Sequence, residues 1–169
     1  YSNGEIKTKL TGDVKEKCVW LPRLGFEYHL TEQNIPFKYF GMGPLESYCD
    51  SMHHSRMDWH ESSAEKEYVN YVCPQEHGNH TKVKSLHINN TLKFDCDDGM
   101  DINVSDYTSE TLYKANHTNE LQKAEGSVVR IDYKMSGLGS NSCGPKLAEK
   151  YKLCEKHIEF KYTLKLING

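Results

Sequence analysis

One residue that could do chemistry is Cys143, in the polar, glycine-rich run GLGSNSCGP at 137–145. A thiol there could be a nucleophile, a metal ligand, a disulfide partner, or a side chain presented to a molecule outside this chain. Nucleophilic catalysis needs a base and an orienting group in hydrogen-bond reach. No cysteine-protease signature surrounds Cys143, so the nucleophile is disfavoured.

Histidines are the second group that could do chemistry, since five of them lie between residues 53 and 80, near Cys49 and Cys73. They are His53, His54, His60, His77 and His80. A zinc site needs ligands that converge, usually as close-spaced pairs. The adjacent pair His53 and His54 would point to opposite faces of a strand. The pattern therefore favours solvated loop histidines over a metal site, although a metal-binding regulatory protein stays a minor alternative.

Four aspartates form the acidic run KFDCDDGMD; they are Asp95, Asp97, Asp98 and Asp101. A retaining glycosidase needs two carboxyl groups about 5 Å apart, and a general acid needs surroundings that raise its pKa. The sequence shows no apolar surroundings for this run, and the spacing lacks the glutamate at the twelfth position of a calcium loop. We expect a charged turn, no catalytic residue and no bound metal.

Strands are the elements that must position these groups. The segment HIEFKYTLKLI alternates in polarity and predicts a strand with one buried face, formed by Ile158, Phe160, Tyr162, Leu164 and Leu166. The segment VVRIDYKM repeats the pattern. Weaker candidates, separated by turn signals, are FEYHL, FKYFGMG, TKVKSLHI, LKFDC and DINVSDY. Many short strands at such spacing indicate an all-β fold, an antiparallel β-sandwich.

One short helix is predicted near 109–116, with Thr108 or Ser109 as N-cap and Glu110 in the first turn. The segment SSAEKEYVN is a weaker helix candidate. At the other end of the chain, Asn3-Gly4 resembles a hairpin turn whose return strand begins at Glu5. The outgoing arm would be very short, so we expect a sandwich truncated at its N-terminal side.

Composition narrows the class of protein. The chain has 169 residues, a net charge of −3 and 37% hydrophobic residues, enough for one domain with a real core. The near-neutral net charge does not indicate a surface that binds nucleic acid or an anionic membrane. No apolar run approaches the ~20 residues of a membrane span. Six widely spaced cysteines favour free thiols and a cytoplasmic protein. We interpret four Asn-x-Ser/Thr sequons, at Asn79, Asn89, Asn103 and Asn116, as coincidental.

Three stretches in this order carry a resemblance: LPRLGFEYHL with FGMGPLESYCD (21–30 and 40–50), YVNYVCPQEHGNHTKVKSL (68–86), and the segment 117–153 that contains GLGSNSCGP. They resemble the C-terminal domain of the β-galactosidases of glycoside hydrolase family two, from about Leu21 to Leu166. The pieces GMGPLESYCD, PQEHGN and GLGSNSCGP at these separations are the most specific part of the likeness.

The resemblance implies a sandwich related to the galactose-mutarotase fold, in an enzyme whose separate (β/α)8 barrel carries two catalytic glutamates and often binds Mg²⁺ and Na⁺. It implies that the glycine-rich loop reaches the rim of the barrel's pocket. There Cys143 would form part of the wall where other members have Trp, and Ser140, Asn141 and Ser142 would shape the loop. A cysteine would give a smaller wall with less stacking surface.

Two departures from the family pattern stand out. This chain reads Tyr48-Cys49-Asp50-Ser51 where many members read Tyr-Pro-Asp-Arg, and Asn79-His80 where Asn-Arg is common. Salt bridges made by those arginines are therefore not expected here.

Taken together, these features predict that residues 1–169 form a single domain, the C-terminal fragment of a larger retaining β-galactosidase that hydrolyses terminal β-D-galactosides such as lactose. The fragment would be inactive alone, meet substrate only together with the barrel, bind no cofactor itself and self-associate. The alternative is a stand-alone carbohydrate-binding or mutarotase-like module.

Overall fold

A computed structural model describes residues 4–15, 20–139 and 145–167. These residues form eight strands: β1 (Glu5–Asp13), β2 (Arg23–His29), β3 (Pro36–Gly43), β4 (Arg56–Ser63), β5 (Asn79–Ile88), β6 (Leu92–Ser105), β7 (Val128–Met135) and β8 (His157–Leu166). One helix, α1, spans Ser109–Lys114, and 3-10 turns occupy Thr118–Glu120 and Glu149–Tyr151. All pairings between the strands are antiparallel.

The sheet branches at β6, which is the longest of the described strands. The strand order runs β1-β8-β6-β5-β3-β4, and β7 with β2 is joined to β6 as a side branch. The first part of β6, Leu92–Asp95, pairs with β8, whereas its last part, Asp101–Ser105, pairs with β7. β8 and β7 therefore pair with the same edge of β6, opposite β5. Two strand pairs, β8-β1 and β7-β2, extend from that edge, and we call them the two leaves.

These leaves pack face to face through aromatic side chains. Phe26 of β2 meets the Tyr162 ring of β8 edge-on, with ring centroids 5.7 Å apart, and the Tyr28 and Tyr162 hydroxyls hydrogen-bond. Between β7 and β8, the Tyr133 and Phe160 rings are 5.9 Å apart. This contact between two leaves confirms the predicted all-β antiparallel sandwich.

A core with almost no solvent exposure lies behind this contact, on the inward faces of β5, β6 and β7; it includes Val83, Leu86, Ile88, Ile102 and Ile131. β8 follows its predicted alternation at Ile158, Phe160 and Tyr162, which are all buried. Leu166, at the end of the strand, is exposed instead.

The acidic run does not form the predicted turn between two strands. β6 passes through Asp97-Asp98-Gly99 without a break, and Gly99 (φ +88°) lies against Lys82 of β5 (φ +56°). The register of β5 against β6 shifts at this level, so the glycine serves a bulge within a strand pair.

Helix α1 confirms the predicted helix. Thr108 is the N-cap, and its hydroxyl accepts a hydrogen bond from the Thr111 amide at 3.1 Å. Leu112 and Ala115 are buried as expected. The weaker candidate SSAEKEYVN is wrong, because its first two residues end strand β4, the next four form turns and residues 68–70 have no regular secondary structure. β4 itself was not predicted; its charged residues Arg56, Asp58 and Glu61 interrupt the apolar pattern.

Candidate functional site

The three motifs that are far apart in the sequence meet at one end of the sheet. The segment after β3, Pro44–Asp50, lies between the start of β5 and the described beginning of the glycine-rich loop, Gly137–Gly139. We call this junction the loop base. Its hydrogen bonds come mainly from Ser47, Glu46 and Asp50.

Ser47 ties the first motif to the second. Its backbone amide donates to the Asn79 carbonyl at 2.6 Å, and the Asn79 side-chain amide returns a bond to the Ser47 carbonyl at 2.9 Å. The Ser47 hydroxyl accepts from the Thr81 amide at 3.0 Å. All three residues are buried, so direct hydrogen bonds within the protein join the two motifs. The Asn79 Oδ1 atom is buried and has no hydrogen-bond partner among the described residues.

Glu46 stabilises the turn that precedes β5. One carboxylate oxygen accepts the Gly78 amide at 2.8 Å and the Tyr48 hydroxyl at 3.1 Å. The other accepts the Tyr71 hydroxyl. Gly78 has φ +71°, and a β-carbon there would lie 3.0 Å from the Glu67 carbonyl oxygen, which explains a glycine in the QEHGN turn.

Asp50 holds the beginning of the glycine-rich loop. Its two carboxylate oxygens accept the amides of Leu138 at 3.2 Å and Gly139 at 2.9 Å. A β-carbon on Gly137 would lie 2.4 Å from the Asp50 carboxyl carbon. The Asp50 carboxylate therefore occupies the space that a larger side chain at position 137 would need.

The other side of the loop base is formed by the segment before β8. The Gly137 amide donates to the Tyr151 carbonyl at 3.0 Å. The buried Ser136 hydroxyl donates to the Leu21 carbonyl at 2.7 Å and accepts from the Leu153 amide at 2.8 Å. Backbone from three separated segments thus meets at the start of the loop.

The predicted pocket-rim residues Ser140, Asn141, Ser142 and Cys143 lie outside the described residues, and their predicted role stays a prediction. The structure does show how the beginning of their loop is held, by the Asp50 carboxylate. Asp50 ends the GMGPLESYCD stretch that carries the resemblance, and the hydrogen bonds that it accepts could not be inferred from spacing.

His80 stands where the family resemblance would place an arginine, and it makes contacts of its own. The His80 imidazole, fully buried, hydrogen-bonds the Tyr39 hydroxyl at 2.9 Å through Nδ1 and the Glu67 carboxylate at 2.8 Å through Nε2. A histidine at this position therefore engages a carboxylate of this chain.

The prediction of solvated loop histidines is wrong for three of the five. His60, His77 and His80 are buried, because each finds a hydrogen-bond partner that offsets burial of a polar ring. His60 contacts the Arg56 carbonyl at 3.2 Å, and His77 the Gln75 carbonyl at 2.8 Å. Among the residues with assigned structure, no group of three His, Cys, Asp or Glu side chains could hold a metal ion.

The carboxylates also differ from expectation. Asp97 and Asp98 are exposed, but burial raises the pKa of Asp101 to about 7, with the nearby Asp132 carboxylate adding to the effect. Asp132, the register partner of Asp101 across β6 and β7, is buried and forms an ion pair with Arg23. Burial that raises the pKa of an acid is therefore present in this run at Asp101, although no sign of it is visible in the sequence.

Two of the sequons lie at buried amides. Asn79 donates to Ser47, and Asn103 donates to the His77 carbonyl and accepts from Arg130 at 2.7 Å. Both are at most 1% exposed, so neither amide is open to a glycan in the fold.

Comparison with known proteins gives a single family. The sequence profile described as "Beta galactosidase small chain" matches residues 1–166. Similar relatives are named "Beta-galactosidase": the protein from Actinobacillus pleuropneumoniae is 35% identical over 97% of this chain, that from Staphylococcus xylosus 31% over 98%, and that from Kluyveromyces lactis 30% over 96%. The chain spans only 16–17% of the length of these relatives.

Proposed function

The chain belongs to the β-galactosidase small-chain family, and from that premise we propose that it is the C-terminal domain of a larger retaining β-galactosidase. The enzyme would hydrolyse terminal β-D-galactosides such as lactose. In this proposal residues 1–169 form a scaffold for one loop of the substrate pocket, and the two catalytic glutamates lie elsewhere in the protein.

The loop base is the observation that carries the proposal. Three motifs that mark the family resemblance are joined by Ser47, Glu46 and Asp50 around the start of the 137–145 loop. A support built from several direct hydrogen bonds between separate segments suits a loop that must be placed accurately against a partner surface. Cys143, with Ser140, Asn141 and Ser142, would then line the rim of the pocket.

The proposal has a direct activity test. The 169-residue chain alone should give no hydrolysis of o-nitrophenyl β-galactoside, since neither nucleophile nor general acid for retention is assigned to it. Addition of the polypeptide that carries the barrel should restore turnover. Hydrolysis by the isolated chain would contradict the proposal, and so would an unchanged rate of the barrel polypeptide with and without this chain.

Substrate and cofactors follow from the same premise. The domain would contact galactoside only together with the barrel, and Mg²⁺ and Na⁺ would bind in the barrel rather than in this chain. Carbohydrate binding by the isolated domain at the 137–145 loop should therefore be weak, which galactose titration of that loop would check.

We propose the cytoplasm as the site of action. Cys49, Cys73, Cys96 and Cys154 are free thiols, and free thiols suit a reducing compartment. Independently of location, no helix within residues 4–15, 20–139 and 145–167 is long and apolar enough to cross a bilayer.

Self-association is also proposed. Among the described strands, β1 pairs with β8 alone and β4 with β3 alone, so each has a free edge. Exposed apolar side chains accompany both edges: Ile6 on β1, and Met57 and Trp59 on β4. Such edges favour pairing with a second copy. Sedimentation of the purified chain should show a concentration-dependent increase in mass; a monomer at all concentrations would contradict this.

A further inference from the structure

The outward face of strands β3 and β4 carries four apolar side chains, which we call the Trp59 patch. Phe40 lies directly opposite Trp59 in the register of the two strands, and Met42 lies opposite Met57. The Phe40 and Trp59 rings are 5.5 Å apart. Met57 and Trp59 are exposed, and Phe40 and Met42 are partly buried. The patch therefore forms one apolar surface that reaches the free edge of β4.

We propose that the Trp59 patch is an interface between two copies of this chain, in which β4 pairs antiparallel with β4 of the second copy. Such an interface deepens the proposed self-association, on which it rests, because it assigns the contact to β4 rather than to β1. The sheet would then continue from one copy into the other in the order β3-β4-β4-β3.

The free edges of the sheet differ in how well they are protected against such pairing. Natural proteins protect edge strands with lysines, prolines or bulges. β1 carries Lys7 and Lys9, and β2 shifts its register between Leu24 and Gly25. β4 contains neither lysine nor proline, and its register against β3 is regular over its whole length. Of these three edges, β4 is therefore the one that a further strand can join most easily.

The backbone of β4 presents alternate residues at this edge. The Ala64 amide, just past β4, donates to the Ile35 carbonyl at 3.1 Å, so the even-numbered residues of β4 face β3. Trp59 and the residues two positions to either side therefore direct their backbone groups away from β3. The Trp59 amide donates to the exposed Asp58 carboxylate at 2.8 Å, a side chain that can turn to solvent when a second strand supplies a carbonyl.

One register brings these groups together without electrostatic conflict. Two identical antiparallel edges are related by a two-fold axis perpendicular to the sheet, which keeps both outward faces on the same side. With Trp59 opposite Trp59 of the second copy, Met57 lies opposite Glu61, and Asp58 lies opposite His60. No two like charges are directly opposite in this register, and such pairs would be unfavourable.

The corresponding arrangement of β1 is unfavourable. The register that pairs β1 with a second β1 over its full length, Glu5–Asp13, sets Lys9 against Lys9 and Glu5 against Asp13. Like charges directly opposite each other destabilise a strand pair. Charge therefore favours β4 as the contact between copies.

The side chains of the Trp59 patch supply the apolar contact. Trp59 and its counterpart form an aromatic pair across the two-fold axis, with Met57 of each copy as a diagonal neighbour. Lys38 Nζ lies 5.3 Å from the centre of the Trp59 ring and pairs with Glu61 at 3.2 Å. An apolar centre with a charged margin is the usual anatomy of a protein interface.

Two matched variants test the interface by analytical ultracentrifugation of the 169-residue chain. Trp59→Lys should raise the dimer Kd by roughly tenfold or more, because it removes the central aromatic pair and sets two ammonium groups opposite each other. Ile6→Lys changes an exposed residue of β1 and should leave the Kd unchanged. The reverse pattern would overturn the assignment to β4 and leave self-association intact. A chain that stays monomeric at all concentrations would contradict both.

Disulfide trapping tests the register while Trp59 is kept. Directly opposite residues have α-carbons about 5.5 Å apart, which a disulfide can span. The double variant Met57→Cys with Glu61→Cys should form a covalent dimer on mild oxidation, with a 57–61 link identified by peptide mass spectrometry. Each single variant should form no link at the new cysteine, since its two copies lie roughly 13 Å apart along the strands. A 57–57 or 61–61 link would overturn the register.

Amide hydrogen exchange of the unaltered chain decides the case if a variant folds poorly. Exchange at Met57, Trp59 and Glu61 should slow as the chain concentration rises, whereas exchange at Lys9 of β1 should not change. Equal slowing on β1 and β4 would overturn the proposal. Slowing on β4 only after addition of the barrel polypeptide would also overturn it, and would assign the Trp59 patch to that partner.

Discussion

Asp50 and Gly139 lie 89 positions apart in the chain, yet the Asp50 carboxylate accepts the Gly139 backbone amide at 2.9 Å. With the second bond, to Leu138, this acid fixes the direction in which the glycine-rich loop leaves the sheet. A charged acceptor makes such bonds stronger than neutral ones.

Replacement of Asp50 should therefore misplace the loop without unfolding the domain. In the assembled enzyme, Asp50→Ala should lower kcat/KM for o-nitrophenyl β-galactoside by about tenfold, equivalent to ~1.4 kcal/mol. Steady-state kinetics measure the effect, and a thermal melt checks the fold. Asp98→Asn, an exposed acid in the β6 bulge, serves as the control. Equal kinetics for both variants would contradict an anchoring role.

Close contact between β2 and β7 gives a second prediction. A β-carbon at Gly25 would lie 2.3 Å from the Ile131 carbonyl oxygen, whereas one at Gly12 would meet nothing within 4 Å. Gly25→Ala should destabilise the fold by about 3 kcal/mol, because backbone atoms must move. Gly12→Ala should change stability by less than ~0.5 kcal/mol. Urea unfolding of the two variants compares them directly, and similar midpoints would show that the strands separate easily.

Stability should depend on pH through Asp101. Its pKa is raised from 3.8 to about 7 in the fold, so the folded state binds more protons than the unfolded state between these values. Stability from this group is present at acidic pH and declines as pH rises toward 7. Asp101→Asn removes this loss and should gain stability relative to the unaltered chain, on the order of 4 kcal/mol more at pH 8 than at pH 4. Denaturant titrations at both pH values measure the difference; an equal effect at both would contradict the raised pKa.

The thiols should differ in reactivity. Cys73 and Cys154 are exposed, whereas Cys96 is buried. Burial also raises the pKa of Cys49 to about 11, and the Asp50 and Asp101 carboxylates add to the effect. Since the thiolate is the reactive form, iodoacetamide at pH 8 should modify Cys73 and Cys154 at least about tenfold faster than Cys49. Peptide mass spectrometry over time gives the rates. Rapid labelling of Cys49 would indicate that the loop base opens readily.

Much of the fold could be predicted from local pattern. The alternation in β8 and the N-cap at Thr108 depend on neighbouring residues, which a sequence displays directly. The bulge at Gly99 could not be inferred in this way, because Asp-Asp-Gly suits a turn equally well. Only its partner Lys82, on another strand, decides between them.

The burial of two charged residues on β7 could not be predicted from the sequence. Alternation assigns Arg130 and Asp132 to a solvated face, yet both are buried. Their partners are remote in sequence: Asp132 pairs with Arg23, and Arg130 with Glu27 at 2.9 Å. Burial of charge depends on such pairing, and pairing over more than a hundred positions has no local signal. The hydrogen bonds of the loop base could not be predicted for the same reason, because they join residues that are far apart in the sequence.

The pairing of β1 with β8 also constrains the order of folding. Glu5 lies opposite Lys165, and Asp13 opposite His157. During synthesis β1 emerges from the ribosome long before its partner exists, and its amides must remain solvated or find temporary partners until residues 157–166 arrive. Long-range pairing of this kind slows folding and exposes strands to association. A ribosome stalled before β8 would therefore hold a chain whose first strand is available to neighbouring nascent chains.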